Sequence, residues 1–184
     1  MRLSTLTLVS SICIVSGTAL ALSKKNLPLP VVPNVDLNRY QGKWYEIARL
    51  PARFEQQCVG DVTAEYARLK NGTVSVVNTC KNKDGHWEKS KGVAKLKDKN
   101  GPNSKLKVTF FWPFYGDYWI VDLDPSYQWA LVGTPNRRYL WILSRTPELP
   151  EATYQQLLSK ARDLEFDVHP IIRTKQTPAP VAQL

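Results

Sequence analysis

The chain has 184 residues and carries 25 lysines and arginines against 16 aspartates and glutamates, a formal net charge of +9. That length suits one domain. With only two histidines and three cysteines, and no second long apolar run after the N-terminus, it excludes a multi-span helical membrane protein and leaves little material for a metal centre. The basic excess fits plain solubility, attraction to anionic membrane surfaces or phosphate headgroups, or nucleic acid.

Residues 1–21 open with Arg2, run through Leu6, Val9, Ile12, Ile14 and Val15 without a charge, and end on Ala19-Leu20-Ala21. This reads as a secretory signal peptide with an Ala-x-Ala cleavage site. Cys13 follows Ile12, where lipid attachment needs a small residue, so no lipid anchor is expected. Cleavage leaves 163 residues and removes only Arg2 from the charge, giving +8. The expected location is the periplasm, with outer-membrane association or secretion as alternatives. Residues 22–34 form a basic, proline-rich arm in which Pro28, Pro30 and Pro33 favour extended backbone. The main domain is expected over residues 35–176 and a loose tail over 177–184.

Asp36 to Tyr40 reads as one turn of helix feeding Gly42. The stretch that follows, GKWYEIARL over 42–50, interleaves large and small or polar residues as a strand with two different faces does. Seven further strands are predicted near 61–69, 73–81, 86–96, 104–111, 115–123, 127–134 and 138–145, punctuated by Asn71-Gly72, Asp84-Gly85, Asn100-Gly101-Pro102-Asn103 and Asp124-Pro125-Ser126. Eight short strands without intervening helices fit an all-β, up-and-down antiparallel barrel. Alternation is clearest at Val74/Val76 and Leu106/Val108/Phe110. It fails at Tyr139-Leu140-Trp141-Ile142-Leu143, which predicts a strand covered on both faces. The cover is Glu151 to Leu164, where Tyr154, Leu157, Leu158, Ala161 and Leu164 recur at helical spacing. Phe166, Val168, Ile171 and Ile172 then offer a short extended segment that could add to the barrel edge.

Signal peptide, Gly-x-Trp at the first strand, eight strands, one C-terminal helix and an arginine ending the eighth strand together resemble the lipocalins. GKWYEIARL, RFE, FFWPFYGDYW and YLWILSRTP narrow the resemblance to the bacterial outer-membrane lipocalins and their apolipoprotein D-like relatives, over roughly Val35 to Gln176. The resemblance implies that Arg145 lies across the indole of Trp44 beside Gly42 and closes one end of the barrel, a structural role. It also implies a pocket above that floor for a lysophospholipid, a fatty acid or another small hydrophobic molecule, without a cofactor. Two departures stand out: no usable lipobox cysteine follows the signal, and Gly133-Thr134-Pro135-Asn136 stands where many lipocalins have a threonine-aspartate pair.

Candidate pocket residues follow from strand parity and aromatic content. Glu46 and Ala48 share the parity of Trp44. Phe54 lies in the loop after the first strand, and Tyr66, Val76 and Phe110 sit on predicted strands. Trp112, Phe114, Tyr115, Tyr118, Trp119, Trp129 and Trp141 supply more aromatic surface than a floor needs, so some must face the helix instead. Arg49, Arg53, Lys81, Lys83, Lys89 and Lys91 are possible rim positions for an anionic headgroup, although a solvated strand face explains most of them. A monomer or weak homodimer is expected, with peripheral contact to an anionic membrane and no nucleic-acid partner.

Cleavage leaves Cys58 and Cys80 in an exported chain, which favours a disulfide. A two-residue turn at Asn71-Gly72 places Cys80 opposite Thr63, so the chain before Asp61 must bend back to bring Cys58 near. A free redox pair, or a cysteine nucleophile like that of the prostaglandin synthase lipocalins, is the alternative. His86 and His169 have no metal spacing, and neither a phosphate-binding glycine loop nor a Gly-x-Ser-x-Gly elbow is present. The leading expectation is a non-enzymatic carrier of amphipathic lipid. A lipid-modifying enzyme of the same barrel type and a basic barrel binding single-stranded nucleic acid are the competing readings.

Overall fold

Gly42 enters the first strand with φ of +87°, in the left-handed region that side chains avoid. Just before it, α1 (Leu37–Tyr40) is capped by the Asp36 side chain, which accepts from the Asn38 N–H. The computed structural model describes residues 27–177, so the expected signal peptide and nearly all of the expected tail lie outside the described residues.

From Gly42 the chain forms β1 (Gly42–Arg49), β2 (Cys58–Arg68), β3 (Val74–Asn82), β4 (Trp87–Leu96), β5 (Lys105–Phe111), β6 (Phe114–Leu123), β7 (Trp129–Gly133) and β8 (Leu140–Ser144). Each strand pairs antiparallel with the next, and β1 pairs with both β8 and β2. The sheet thus closes on itself as the eight-stranded barrel expected from the sequence, and closure satisfies the strand edges. The loops after β1, β3, β5 and β7 collect at one end. Helix α1 and the turns after β2, β4 and β6 collect at the other.

Two apolar clusters fill the molecule. The inner one holds Trp44, Tyr66, Val74, Val76, Leu106, Ile120, Val132 and Leu143. The outer one lies beneath α2 (Glu151–Asp163), whose Tyr154, Leu157, Leu158 and Ala161 pack on Ile47, Leu131, Leu140 and Ile142. The doubly apolar run in β8 is explained by this arrangement: Leu140 and Ile142 face the helix, while Trp141 and Leu143 face inward. The N-terminal arm is a strap. Leu29 is buried in the outer cluster, and the Val32 N–H donates to Ile120 O at 3.0 Å.

Two strand details differ from the sequence reading. A β-bulge between Glu46 and Ala48 breaks the parity of β1, so Ala48 turns into the outer cluster instead of the barrel interior and Arg49 turns inward. The β2–β3 turn is also one residue longer than a two-residue turn at Asn71-Gly72. The Leu69 N–H donates to Thr73 O at 2.8 Å, and Thr63 pairs with Thr79 instead of Cys80. Irregularities around Gly60 and Asp61 then place Cys58 opposite Asn82. Cys58 and Cys80 come to 5.5 Å between Cα atoms and form a disulfide. Closing a loop of this size contributes about 3 kcal/mol in the chain-entropy account.

The segment after α2 completes the wall. β2 pairs with the first half of β1 only, and β9 (Ile172–Arg173) pairs with Ala48 and Arg49 where β2 has diverged. Gln176 Nε2 donates to both Glu46 O at 2.8 Å and Val62 O at 2.9 Å, bridging the two strands. The Asp61 N–H donates to Lys175 O at 2.8 Å.

Candidate functional site

The floor is built from Trp44, which is fully buried, and Arg145, whose guanidinium carbon stands 3.8 Å from the indole centroid. Three carbonyls hold that guanidinium: Nη1 donates to Lys43 O at 2.9 Å, Nη2 to Arg39 O at 2.7 Å and Nε to Tyr127 O at 3.2 Å. The indole Nε1 donates to Tyr40 O at 2.8 Å. Every polar group of the plug has a partner, so the floor excludes water without stranding a donor.

Above the floor, Tyr118 is the centre of a hydroxyl chain, 2.9 Å from the Tyr40 hydroxyl and 2.9 Å from that of Tyr66. Burial pushes all three phenols up, Tyr66 to about 12, so they remain neutral at physiological pH.

Over these rings lies a cavity of about 620 Å³, within the size range of small-molecule pockets. Val74, Val76, Ala94, Leu106, Val108 and Phe110 form its waist, and Phe54, Phe111, Phe114, Tyr115, Tyr139 and Trp141 its upper wall and mouth. Val74, Val76 and Asn78 of β3 and Leu106, Val108 and Phe110 of β5 line it at every second position, as their alternation predicts.

A buried ionic cluster stands beside this wall, whose lining also includes polar residues such as Asn78, Ser90 and Asp117. Arg49, buried after the bulge, reaches Glu46 Oε1 with Nη1 at 3.2 Å, and its Nε is 2.9 Å from Glu55 Oε2. Trp141 Nε1 donates to the Glu55 carboxyl at 3.3 Å, and Thr174 Oγ1 donates to Glu46 Oε1. Burial raises the Glu46 carboxyl. Burial, reinforced by the Glu46 carboxylate and opposed by Arg49, pushes Glu55 up to about 8. Between its ordinary value of 4.5 and about 8, folded Glu55 therefore keeps a proton that the unfolded chain has lost. Stability falls as pH climbs through that window and levels off above it. Glu46 acts in the same direction. Glu55→Gln mimics the neutral acid and should remove much of this slope. Thermal midpoints between pH 5 and pH 8.5 (about the edges of the window) should fall less for the variant than for the parent, and parallel profiles would contradict the assignment.

Of the residues singled out from the sequence, Glu46, Phe54, Tyr66, Val76, Phe110, Phe114, Tyr115, Tyr118 and Trp141 line the cavity. Ala48, Trp112, Trp119 and Trp129 do not. Trp119 faces outward, with the ammonium groups of Lys97 and Lys105 at 4.6 and 4.5 Å from its ring. Trp129 packs against the cluster beneath α2. Trp112 is at the tip of the β5–β6 hairpin and is 81 % exposed. None of Arg49, Arg53, Lys81, Lys83, Lys89 and Lys91 is in the cavity lining. The sequence reading missed Tyr40, Glu55 and Tyr139. Tyr40 ends the helical turn just before the strand that carries Trp44, and its ring lies tilted against the indole with centroids 4.8 Å apart. Both cysteine sulfurs are tied in the disulfide, which removes the thiolate that a cysteine nucleophile would need.

Comparison with known proteins agrees with this geometry. The family model described as lipocalin-like domain matches residues 35–176. Temperature-induced lipocalin-1 of Arabidopsis thaliana is 41% identical over 164 residues, covering 83% of this chain and 85% of the plant protein. Outer membrane lipoprotein Blc of Escherichia coli K12 is 45% identical over 148 residues, covering 79% and 82%. Apolipoprotein D of Mus musculus is 34% identical over 161 residues, covering 82% of each. Among solved structures, insecticyanin from the tobacco hornworm Manduca sexta superposes with a TM-score of 0.65 at 23% identity, covering 82% of this chain and 85% of its own. Lobster apocrustacyanin A1 superposes at 0.64 with 18% identity, covering 83% and 92%; at these identities the likeness concerns the fold alone. With a family match over the whole barrel and a Trp44–Arg145 floor of the kind the motifs implied, the chain belongs to the lipocalin family.

Proposed function

We propose that the protein binds one acyl-chain amphiphile, a lysophospholipid or a fatty acid, inside the barrel and stores or carries it in the cell envelope. The observation that carries this reading is the cavity of about 620 Å³, closed below by Trp44 and Arg145, aliphatic at its waist and open above. Burying ten methylenes there brings roughly 8 kcal/mol before ordering costs, enough for micromolar affinity without a specific polar motif. Relatives named outer membrane lipoproteins and the N-terminal run that reads as a signal peptide support an envelope location, periplasmic with outer-membrane association or secretion as variants. The positive net charge supports peripheral contact with anionic membrane.

Trp141 stands in the cavity wall with its Nε1 on Glu55, so a ligand entering the barrel changes its surroundings. Titration of delipidated mature protein with lysophosphatidylcholine or palmitate should change tryptophan emission saturably, with one ligand per chain. Trp141→Phe should lose most of that signal and keep the calorimetric heat. Neither an emission change nor heat from any acyl-chain ligand would defeat the reading.

A further inference from the structure

The deep end of the cavity is crossed by hydroxyl groups. Strands β2 and β6 stand opposite one another in the closed ring of strands, and Tyr66 from the first and Tyr118 from the second reach across the lumen until their hydroxyls are 2.9 Å apart. Tyr40, at the end of α1, joins them from the closed end, with its hydroxyl 2.9 Å from that of Tyr118. All three residues line the cavity. Together they form a bar over Trp44, and among the described residues no other polar atom bonds their hydroxyls.

Three hydroxyls carry three protons, and the two contacts use two of them. One O–H is therefore left free in every arrangement. Tyr118 has a single proton and cannot donate to both neighbours, so the free O–H always belongs to a hydroxyl that itself accepts from another, which polarises it into a stronger donor. Burial keeps all three phenols protonated. Nothing else at this end takes up the free donor: Gln41 has its amide oxygen on the Arg68 N–H at 2.8 Å and its nitrogen on Asn38 O at 3.3 Å. On β3 the deep lining positions are Val74 and Val76, and polar lining begins only at Asn78, nearer the mouth. A free donor in apolar surroundings is costly, and a hydrocarbon chain end leaves it so. An oxygen acceptor on the ligand removes that cost. The acceptor must be uncharged, because among the described residues no lysine, arginine or histidine lines the cavity to balance a carboxylate.

We propose that the Tyr40–Tyr118–Tyr66 bar is a second polar subsite, which binds an uncharged oxygen acceptor, a hydroxyl or a ketone, carried near the far end of the bound acyl chain. The cavity then suits amphiphiles oxygenated at both ends, with the head at the open mouth and the second oxygen on the bar. The inference rests on the acyl-chain reading above and adds a far-end group to its ligand.

The test uses delipidated mature protein and matched pairs of probes, each a saturated fatty acid and its ω-hydroxy derivative, in even chain lengths from decanoate to hexadecanoate. Calorimetry below the micelle threshold reads the affinity ratio within each pair. A merely apolar pocket disfavours the added hydroxyl by roughly tenfold at every length. Here the penalty should vanish or reverse at the length that reaches the bar, and only near it. Joint Tyr40→Phe, Tyr66→Phe and Tyr118→Phe substitution keeps the ring shapes and removes every hydroxyl, whereas any smaller set leaves at least one free O–H. The triple variant should restore the roughly tenfold penalty at that length without weakening the plain acid. A second readout needs only the parent protein: the isotopically labelled ketone of a keto acid of the matching length, oxygenated next to its terminal carbon, should absorb at lower frequency when bound than in hydrocarbon solvent. A hydroxyl penalty equal at all lengths, a length dependence unmoved by the triple variant, or a ketone stretch at its hydrocarbon position would overturn the proposal and leave the acyl-chain reading intact. Binding of neither member of any pair would defeat both.

Discussion

Arg145→Ala is expected to lower stability by about 3 kcal/mol. The side chain provides an interaction with the Trp44 face at 3.8 Å and hydrogen bonds to three carbonyls, on Lys43, Arg39 and Tyr127. A cation–π contact contributes about 0.5–2 kcal/mol, and a charged hydrogen bond about 1.5–3 kcal/mol when buried. The half-exposed guanidinium warrants discounting the sum heavily. In a domain of this size such a loss corresponds to about 10 °C in thermal midpoint. Arg145→Lys should recover only part of it, because an ammonium cannot address three separate carbonyls as a planar fork does. Urea unfolding of the three proteins checks this, and a loss within about 1 kcal/mol for the alanine variant would show that the floor is held by Trp44 packing alone.

Ala94→Trp should abolish most ligand binding while leaving the barrel folded. Ala94 is buried on the inner face of β4, opposite Val74 and Val108, and lines the cavity. An indole there projects into open volume, so the overpacking that penalises such changes in a filled core is small. The bound chain must give up whatever length the ring displaces. Losing about three methylenes costs roughly 2.4 kcal/mol, about a fiftyfold weakening. Calorimetry reads the change without interference from the added tryptophan. An unchanged affinity with an unchanged melting profile would place the ligand outside the barrel.

The parts of the molecule legible in the sequence are those set by local pattern. Leu106, Val108 and Phe110 alternate because β5 has one face in the barrel, and Leu140 with Ile142 break the alternation because α2 covers them. Trp44 and Arg145 were legible as a pair through motifs a hundred residues apart. What escaped depends on irregularities that residue type does not encode. The bulge after Glu46 exchanges Ala48 for Arg49 on the inner face, and nothing in Glu-Ile-Ala-Arg announces it. Asn71-Gly72 serves a turn of either two or three residues, and the choice moved the cysteine register by one. Trp119 and Trp129 look like cavity residues by size alone, whereas Lys97 and Lys105 claim the first and the helix-side cluster packs against the second. Glu55 is an ordinary loop acid in the sequence, and only long-range packing against Arg49 and Trp141 makes it a buried group of the wall.

The barrel encloses an apolar interior above the Trp44–Arg145 floor, with the Glu46–Arg49–Glu55 cluster buried in its wall. The most direct test of the central claim is native mass spectrometry of the mature protein after mixing with a total envelope lipid extract, followed by identification of the retained lipid. One amphiphile per chain, displaced in Ala94→Trp, is the predicted result. A protein that retains no lipid under these conditions, or retains it equally well with the cavity blocked, would contradict the account.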